Sequence, residues 1–296
     1  MPFALIGFFL GYFYIRQPLD PFNYTHQWNL NRTIGWGPDS NIVSWRETGL
    51  KFLLVLLCMV FARSAAMAFN RYLDRHFDAL NPRTAIREIP KGIITPKNAL
   101  TFTIINCILF VTATWFINNI CFFLSPVALS VVLGYSYTKR FTPLCHLILG
   151  LGLSLAPIGA YLAITGQFNW LPVLFSLAVI FWVSGFDIIY ALQDVEFDRS
   201  QNLYSIPAAV GKVKALRISE LLHLMSAASV VGAGVLGHFG WIYWLGIMVF
   251  GGCLIYQHSI VKPEDLRRVN IAFMTANGIA SVVFALFVIT DLYINK

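Results

Sequence analysis

The chain has 296 residues, of which 57% are hydrophobic and 12% charged, and its mean hydropathy is +0.68. A soluble domain carries roughly 25% charged residues, so these proportions exclude a soluble enzyme, a disordered chain and a disulfide scaffold. What remains is an all-α polytopic membrane protein, because the apolar stretches run near 20 residues instead of alternating over about ten. The formal charge of +7 reads as basic loops on the cytoplasmic face of a bilayer, with no nucleic-acid partner.

In chain order, nine candidate spans cover about 2–15, 49–70, 99–118, 120–138, 144–164, 170–193, 215–237, 240–257 and 269–291. They are expected to form one bundle in a single domain over residues 1–296. The first is short for a hydrocarbon core of about 30 Å and begins at Met1. It is either a tilted short helix or a start downstream of the true one, and it lacks the marks of a cleaved signal peptide. The polar stretch from about Arg16 to Glu47 reads as an external loop.

The loops after the second, fourth, sixth and eighth spans hold fifteen Lys and Arg residues, against five on the other side. These loops are therefore assigned to the cytoplasm, as for a protein of a bacterial inner membrane. Cys58, Cys107, Cys121, Cys145 and Cys253 lie in or beside apolar segments with no CxxC and read as packing residues. The six histidines show no ligand spacing and read as loop or interface residues.

Only fourteen residues are acidic, so their placement carries information. Asn70, Asp74 and Asp78 stand at i, i+4, i+8 at the inner end of the second span. On a helix they fall within about 80° of one another. Asp187, Asp194 and Asp198 at the inner end of the sixth fall within about 40°, with Tyr190 beside them. Asn70-xxx-Asp74-xxx-Asp78 and Tyr190-xxx-Asp194-xxx-Asp198 share spacing and position, as in a duplicated half. Solvated helix ends are the plain explanation. Two matched stripes plus the deeper Asp187 favour a site, because intramembrane acids are costly. Paired carboxylates near a polar opening suit Mg²⁺, and the surrounding Arg and Lys residues suit a diphosphate. A transporter with proton-relaying acids is the rival from another class, and a non-catalytic scaffold would need no matched stripes. Glu196 sits off the face, and Glu88 reads as a loop ion pair.

These residues resemble the UbiA superfamily of membrane prenyltransferases. The carrying motifs are Asn70-xxx-Asp74-xxx-Asp78, Asp194-xxx-Asp198, Arg83-Thr84-x-x-Arg87-x-Ile89-Pro90-x-Gly92, Tyr135-xxx-Lys139-Arg140, and Ser205 with Gly211. The resemblance covers the chain from about residue 49 onward. It implies about nine helices around a central prenyl-diphosphate cavity, with Mg²⁺ as cofactor. The metal would be held by Asp74, Asp78, Asp194 and Asp198, with Asn70 alongside. Lys139 and Arg140, with Arg83 or Arg87, would grip the diphosphate. Tyr135 or Tyr190 would hydrogen-bond it or face the allylic cation, and Asp187 would border the acceptor. The partners implied are a polyprenyl diphosphate, a small aromatic acid and the bilayer, and the reaction is C-alkylation in respiratory quinone biosynthesis.

The phrases Ala66–Arg71, Asn81–Ala85 and Gly185–Tyr190 resemble the branch whose inferred acceptor is 1,4-dihydroxy-6-naphthoate. The alternative is 4-hydroxybenzoate, whose branch usually has Asp where Arg71 stands and Lys where Tyr204 stands. Both acceptors carry a carboxylate, for which Arg63 or Arg140 is a candidate partner. Arg63 stands seven residues before Asn70 on the same face, and a snorkelling or internally paired arginine is the plain alternative.

Overall fold

A computed structural model describes residues 2–15 and 45–295. The external loop expected from Arg16 to Glu47 lies almost wholly outside the described residues. Twelve α-helices follow in order. The long ones are α2 (Trp45–Leu73), α4 (Pro96–Ile117), α5 (Asn119–Thr138), α6 (Cys145–Thr165), α7 (Trp170–Ala191), α10 (Lys212–Leu236), α11 (Trp241–Ile260) and α12 (Asn277–Asn295). The first, α1 (Pro2–Tyr14), is shorter, and α3 (Arg75–Leu80), α8 (Val195–Ser200) and α9 (Ile206–Val210) are single turns or little more.

The nine-span expectation is met in part. Each expected span appears as a helix, with ends moved by a few residues. Among the described residues only seven helices are both long and apolar enough to cross a membrane. The 13 residues of α1 rise about 20 Å, which is short of the core. In α11 the polar end Tyr256-Gln257-His258 follows the apolar run, and this helix is not among the seven. The outer faces of the long helices expose large apolar side chains, such as Phe102, Ile105, Leu109 and Phe116 on α4. Such a surface suits lipid, since soluble proteins rarely expose a contiguous apolar face of this kind.

Successive long helices from α4 to α12 pack side by side, α2 packs on α4 and α5, and α1 packs on both α6 and α12. Two glycines allow the closest approaches. A Cβ at Gly7 would stand 2.0 Å from the Pro157 carbonyl oxygen, and one at Gly150 would stand 2.5 Å from that of Ile180. The core of this half is aromatic, with Phe3, Phe175, Trp182, Tyr243, Phe250 and Phe284 in one cluster. Several polar groups inside it pair across helices. Trp182 Nε1 and Gln257 Nε2 both donate to Asn277 Oδ1, at 3.0 and 2.7 Å. His223 Nδ1 lies 2.8 Å from His258 Nε2, in space that Gly185 leaves open.

Both acidic motifs break their helices in the same way. The second span ends at Leu73, Asp74 has φ −88° and ψ 5°, and α3 begins at Arg75. The sixth passes through a 3₁₀ turn at Leu192–Asp194, Asp194 has φ −105° and ψ 5°, and α8 begins at Val195. The Asp74 and Asp78 N–H groups still donate to Asn70 and Asp74 carbonyls at 2.9 and 2.8 Å, so the stripe survives the break. This shared local geometry agrees with the duplicated-half reading.

Replacing Gly7 by Leu forces a side chain into backbone and should lift α1 off α6. Thermal unfolding in detergent is expected to show a loss of about 1–3 kcal/mol, the usual cost of overpacking, while Gly159→Leu, where a Cβ meets nothing within 4 Å, should stay near wild type.

Candidate active site

The twelve candidate residues gather at one end of the bundle, where α2, α5 and α7 finish. Each of the four aspartates of the motifs takes one of the four cations expected nearby. Arg140 Nη2 reaches Asp74 Oδ1 at 3.3 Å, and Arg87 Nη1 reaches Asp78 Oδ1 at 2.8 Å and Oδ2 at 2.9 Å. Arg83 Nε donates to Asp194 Oδ1 at 3.0 Å, and its Nη2 pairs with Oδ2. Lys139 Nζ stands 2.7 Å from Asp198 Oδ1. Two pairs, Arg83–Asp194 and Lys139–Asp198, join the first motif's half of the chain to the second's.

Local chemistry places these groups. Asn81 is buried, donates to Asp194 Oδ1 at 3.2 Å and accepts from Arg83 N at 3.0 Å, so it turns the loop that carries Arg83. Ser205 donates to Asp198 Oδ2 at 2.8 Å and caps α9. Asn70 Nδ2 donates to Asp74 Oδ2 at 3.1 Å. Tyr190 accepts from Arg83 Nη1 at 2.6 Å and stacks on Phe273 at 4.2 Å between centroids. Phe273 belongs to a π-helical turn, Ile271–Ala276, at the start of the last span. Tyr135 lies within electrostatic reach of Asp187, Asp74 and Arg87. Glu88 does form a loop ion pair, with Arg71.

Three findings were not read from the sequence. Asn81 had no motif role there, although Asn81-Pro82-Arg83 marks a tight turn. Ser205 was noted only as part of a pattern. His146, read as a loop or interface residue, is buried with Nδ1 2.7 Å from Asp187 Oδ2. Its signal was faint, since His146 and Asp187 lie 41 residues apart.

The electrostatics follow from burial. Burial lifts the Asp74 carboxyl above its ordinary range; Arg140 opposes this and neighbouring Asp78 adds to it. Burial pulls the Lys139 ammonium down, but Asp198 and Asp194 outweigh it and hold it above its usual value. Asp198 is fully buried, and its Oδ1 faces Lys139 by charge without the alignment of a hydrogen bond.

Four carboxylates and the amide oxygen of Asn70 make an all-oxygen donor set, which fits Mg²⁺. Among the described residues no three His, Cys, Asp or Glu side chains already converge on one metal position. Each carboxylate is turned onto its own cation, the arrangement that neutralises like charges in a low dielectric. Breaking Arg83–Asp194 from one side leaves a buried charge. Arg83→Leu and Asp194→Leu should each cost about 3–5 kcal/mol in thermal unfolding, and the double variant should be more stable than either single one.

The sequence profile of the UbiA prenyltransferase family matches residues 39–279. A 4-hydroxybenzoate octaprenyltransferase from Tolumonas auensis is 30% identical over 234 residues, covering 79% of this chain and 82% of that protein. The enzyme of the same name from Aeromonas salmonicida is 30% identical over 241 residues, covering 78% and 80%. The apo structure of a UbiA homologue from Aeropyrum pernix superposes with a TM-score of 0.76 at 24% identity, covering 99% of this chain and 97% of that one. A homologue from Archaeoglobus fulgidus, solved with GPP and Mg²⁺, superposes with a TM-score of 0.64 at 20% identity over the same shares. With four-fifths of its length inside the family profile, this chain belongs to the UbiA prenyltransferase family.

Proposed function

We propose that this chain is an integral membrane aromatic prenyltransferase that moves a polyprenyl group from its diphosphate onto a ring carbon of a phenolic acid. The observation that carries this reading is the one-to-one pairing of four aspartates with four cations. Ion pairs in a low dielectric add little net stability, so their number needs another reason. The same eight groups can divide between divalent cations, taken by Asp74, Asp78, Asp194 and Asp198 with Asn70 alongside, and a diphosphate, taken by Arg83, Arg87, Lys139 and Arg140. When bound, Mg²⁺ stabilises the negative charge that develops on the leaving diphosphate.

The chain's own residues supply the rest. The four cations orient the diphosphate, and the phenols of Tyr135 and Tyr190 border the reacting centre. Asp187 accepts a hydrogen bond from the acceptor's hydroxyl, which enriches the ring. The allylic C–O bond then breaks, the ring carbon bonds to the allylic carbon, and the ring proton is released to solvent. Nine helices, with α1 and α11 included, would surround the prenyl chain. The basic loops favour a cytoplasmic opening.

The named relatives favour 4-hydroxybenzoate as acceptor over the naphthoate that the sequence phrases pointed to. Either acceptor needs a carboxylate partner. Arg63 is exposed on α2 and makes no ion pair among the described residues. It stands two turns, about 10 Å, from Asn70 on the same face.

Membranes given Mg²⁺, a labelled polyprenyl diphosphate and both acceptors in equal amount should yield prenylated 4-hydroxybenzoate by mass. Prenylated naphthoate would move the acceptor assignment, and no EDTA-sensitive product from either would overturn the reading. Asp74→Ala and Asp194→Ala should lower turnover by about 100- to 1,000-fold. Arg63→Leu should raise the KM for the acceptor by about 10- to 100-fold, the worth of a charged hydrogen bond, and leave that for the diphosphate unchanged.

The raised Asp74 carboxyl gives a pH dependence. A carboxyl with an elevated pKa keeps its proton to higher pH, and that proton must leave for a metal to bind. The Mg²⁺ concentration giving half-maximal activity should therefore rise as the assay is acidified from neutral pH. A Mg²⁺ requirement that stays flat on acidification would contradict the assignment of Asp74.

A further inference from the structure

We propose that His146 is a positioning residue for the acceptor: it fixes the orientation of Asp187 and ties it to the loop that holds Asp198. This deepens the prenyltransferase reading and rests on it.

His146 stands in the first turn of α6 with 3% of its surface exposed. Three contacts lock it. Its Nδ1 lies 2.7 Å from Asp187 Oδ2, the Ile206 N–H donates to its Nε2 at 3.3 Å, and its carbonyl accepts from Ser184 Oγ at 3.1 Å. A backbone N–H can only donate, so Nε2 is the acceptor and the ring proton sits on Nδ1, donated to Asp187. Asp187 Oδ2 is therefore occupied as the acceptor of this proton. Its Oδ1 has no hydrogen-bond partner among the described residues, and its side chain is 23% exposed. This is the oxygen that can take a phenolic hydrogen.

The neighbours of His146 add the second half of the inference. Ile206 opens α9, whose cap Ser205 donates to Asp198 Oδ2. Tyr204 N, one residue earlier, donates to the Lys139 carbonyl at 2.7 Å. Asp198, Ser205, Ile206, His146 and Asp187 thus form one connected line. It runs from a carboxylate proposed for the metal layer to the one proposed for the acceptor. A histidine retained only for packing would not need its ring proton on a partly exposed carboxylate. The other buried histidine, His223, faces His258 and a backbone carbonyl and reaches no candidate residue.

The test is a double-mutant cycle on the full chain in membranes, with Mg²⁺, a polyprenyl diphosphate and 4-hydroxybenzoate, against wild type. His146→Ala should lower kcat by about 30- to 100-fold, the lower range for losing acid–base assistance, and leave the KM for the diphosphate within about twofold. His146→Asn keeps a side-chain N–H near the Nδ1 position and should recover at least about tenfold of the loss. In an Asp187→Ala background, removing His146 should cost no more than about threefold, because its partner is already gone. A kcat for His146→Ala within about threefold of wild type would overturn the assignment, as would losses that multiply in the double variant. Where His146→Ala fails to fold, His146→Asn and His146→Gln carry the comparison: Asn should be faster by about tenfold, and an equal or reversed order overturns the inference. Inactivity of the wild type with either acceptor overturns the prenyltransferase reading itself; an active wild type indifferent to His146 overturns only this assignment.

Discussion

The structure depends on the balance of charge at one end of the helix bundle. Asp74, Asp78, Asp194 and Asp198 sit at or inside the edge of an apolar bundle, and an unpaired ion there costs several kcal/mol. Each is compensated by a single cation, and the cations come from elsewhere in the chain. Arg83 lies on the loop after α3 and holds Asp194, 111 residues away; Lys139 closes α5 and holds Asp198. These two pairs cross between the halves of the protein. The ends of α2, α5 and α7 must therefore meet at this place, and the loops between them must fold back over it.

The helix breaks at Asp74 and Asp194 serve the same geometry. A residue with ψ near 5° stands at each break, and Asp78 and Asp198 are the most buried of the four motif acids. The side chains that steady this turn are small and polar: Thr84 bonds the Asp78 carbonyl, Asn81 bonds Asp194, and Ser205 bonds Asp198. Each of these hydrogen bonds comes from a side chain that carries no charge.

Deeper in the bundle, several polar side chains in apolar surroundings find a partner on another helix. Asn277 receives Trp182 and Gln257, His223 meets His258, and Asp291 accepts the Gly240 and Tyr243 N–H groups at the start of α11. In lipid such pairs specify which helices touch, since apolar surface alone does not discriminate between neighbours. Among the described residues, His146 with Asp187 is the one such pair that includes a candidate residue.

Composition and periodicity by themselves determined the class of molecule and the order of its helices, because an apolar run of about 20 residues has few other fates in a bilayer. The spacing of Asn70, Asp74 and Asp78, and of Asp194 and Asp198, determined which acids share a face, since that follows from the pitch of a helix. Sequence alone also collected the cations, Arg83, Arg87, Lys139 and Arg140, as a set. Which cation meets which acid was decided by tertiary structure. Arg83 passes over Asp78, nearer in sequence, and binds Asp194, because the turn at Asn81 aims it across the bundle. The partnership of His146 with Asp187 was likewise closed to sequence reasoning. Local spacing reports contacts within a helix, whereas a buried hydrogen bond between two helices depends on their packing.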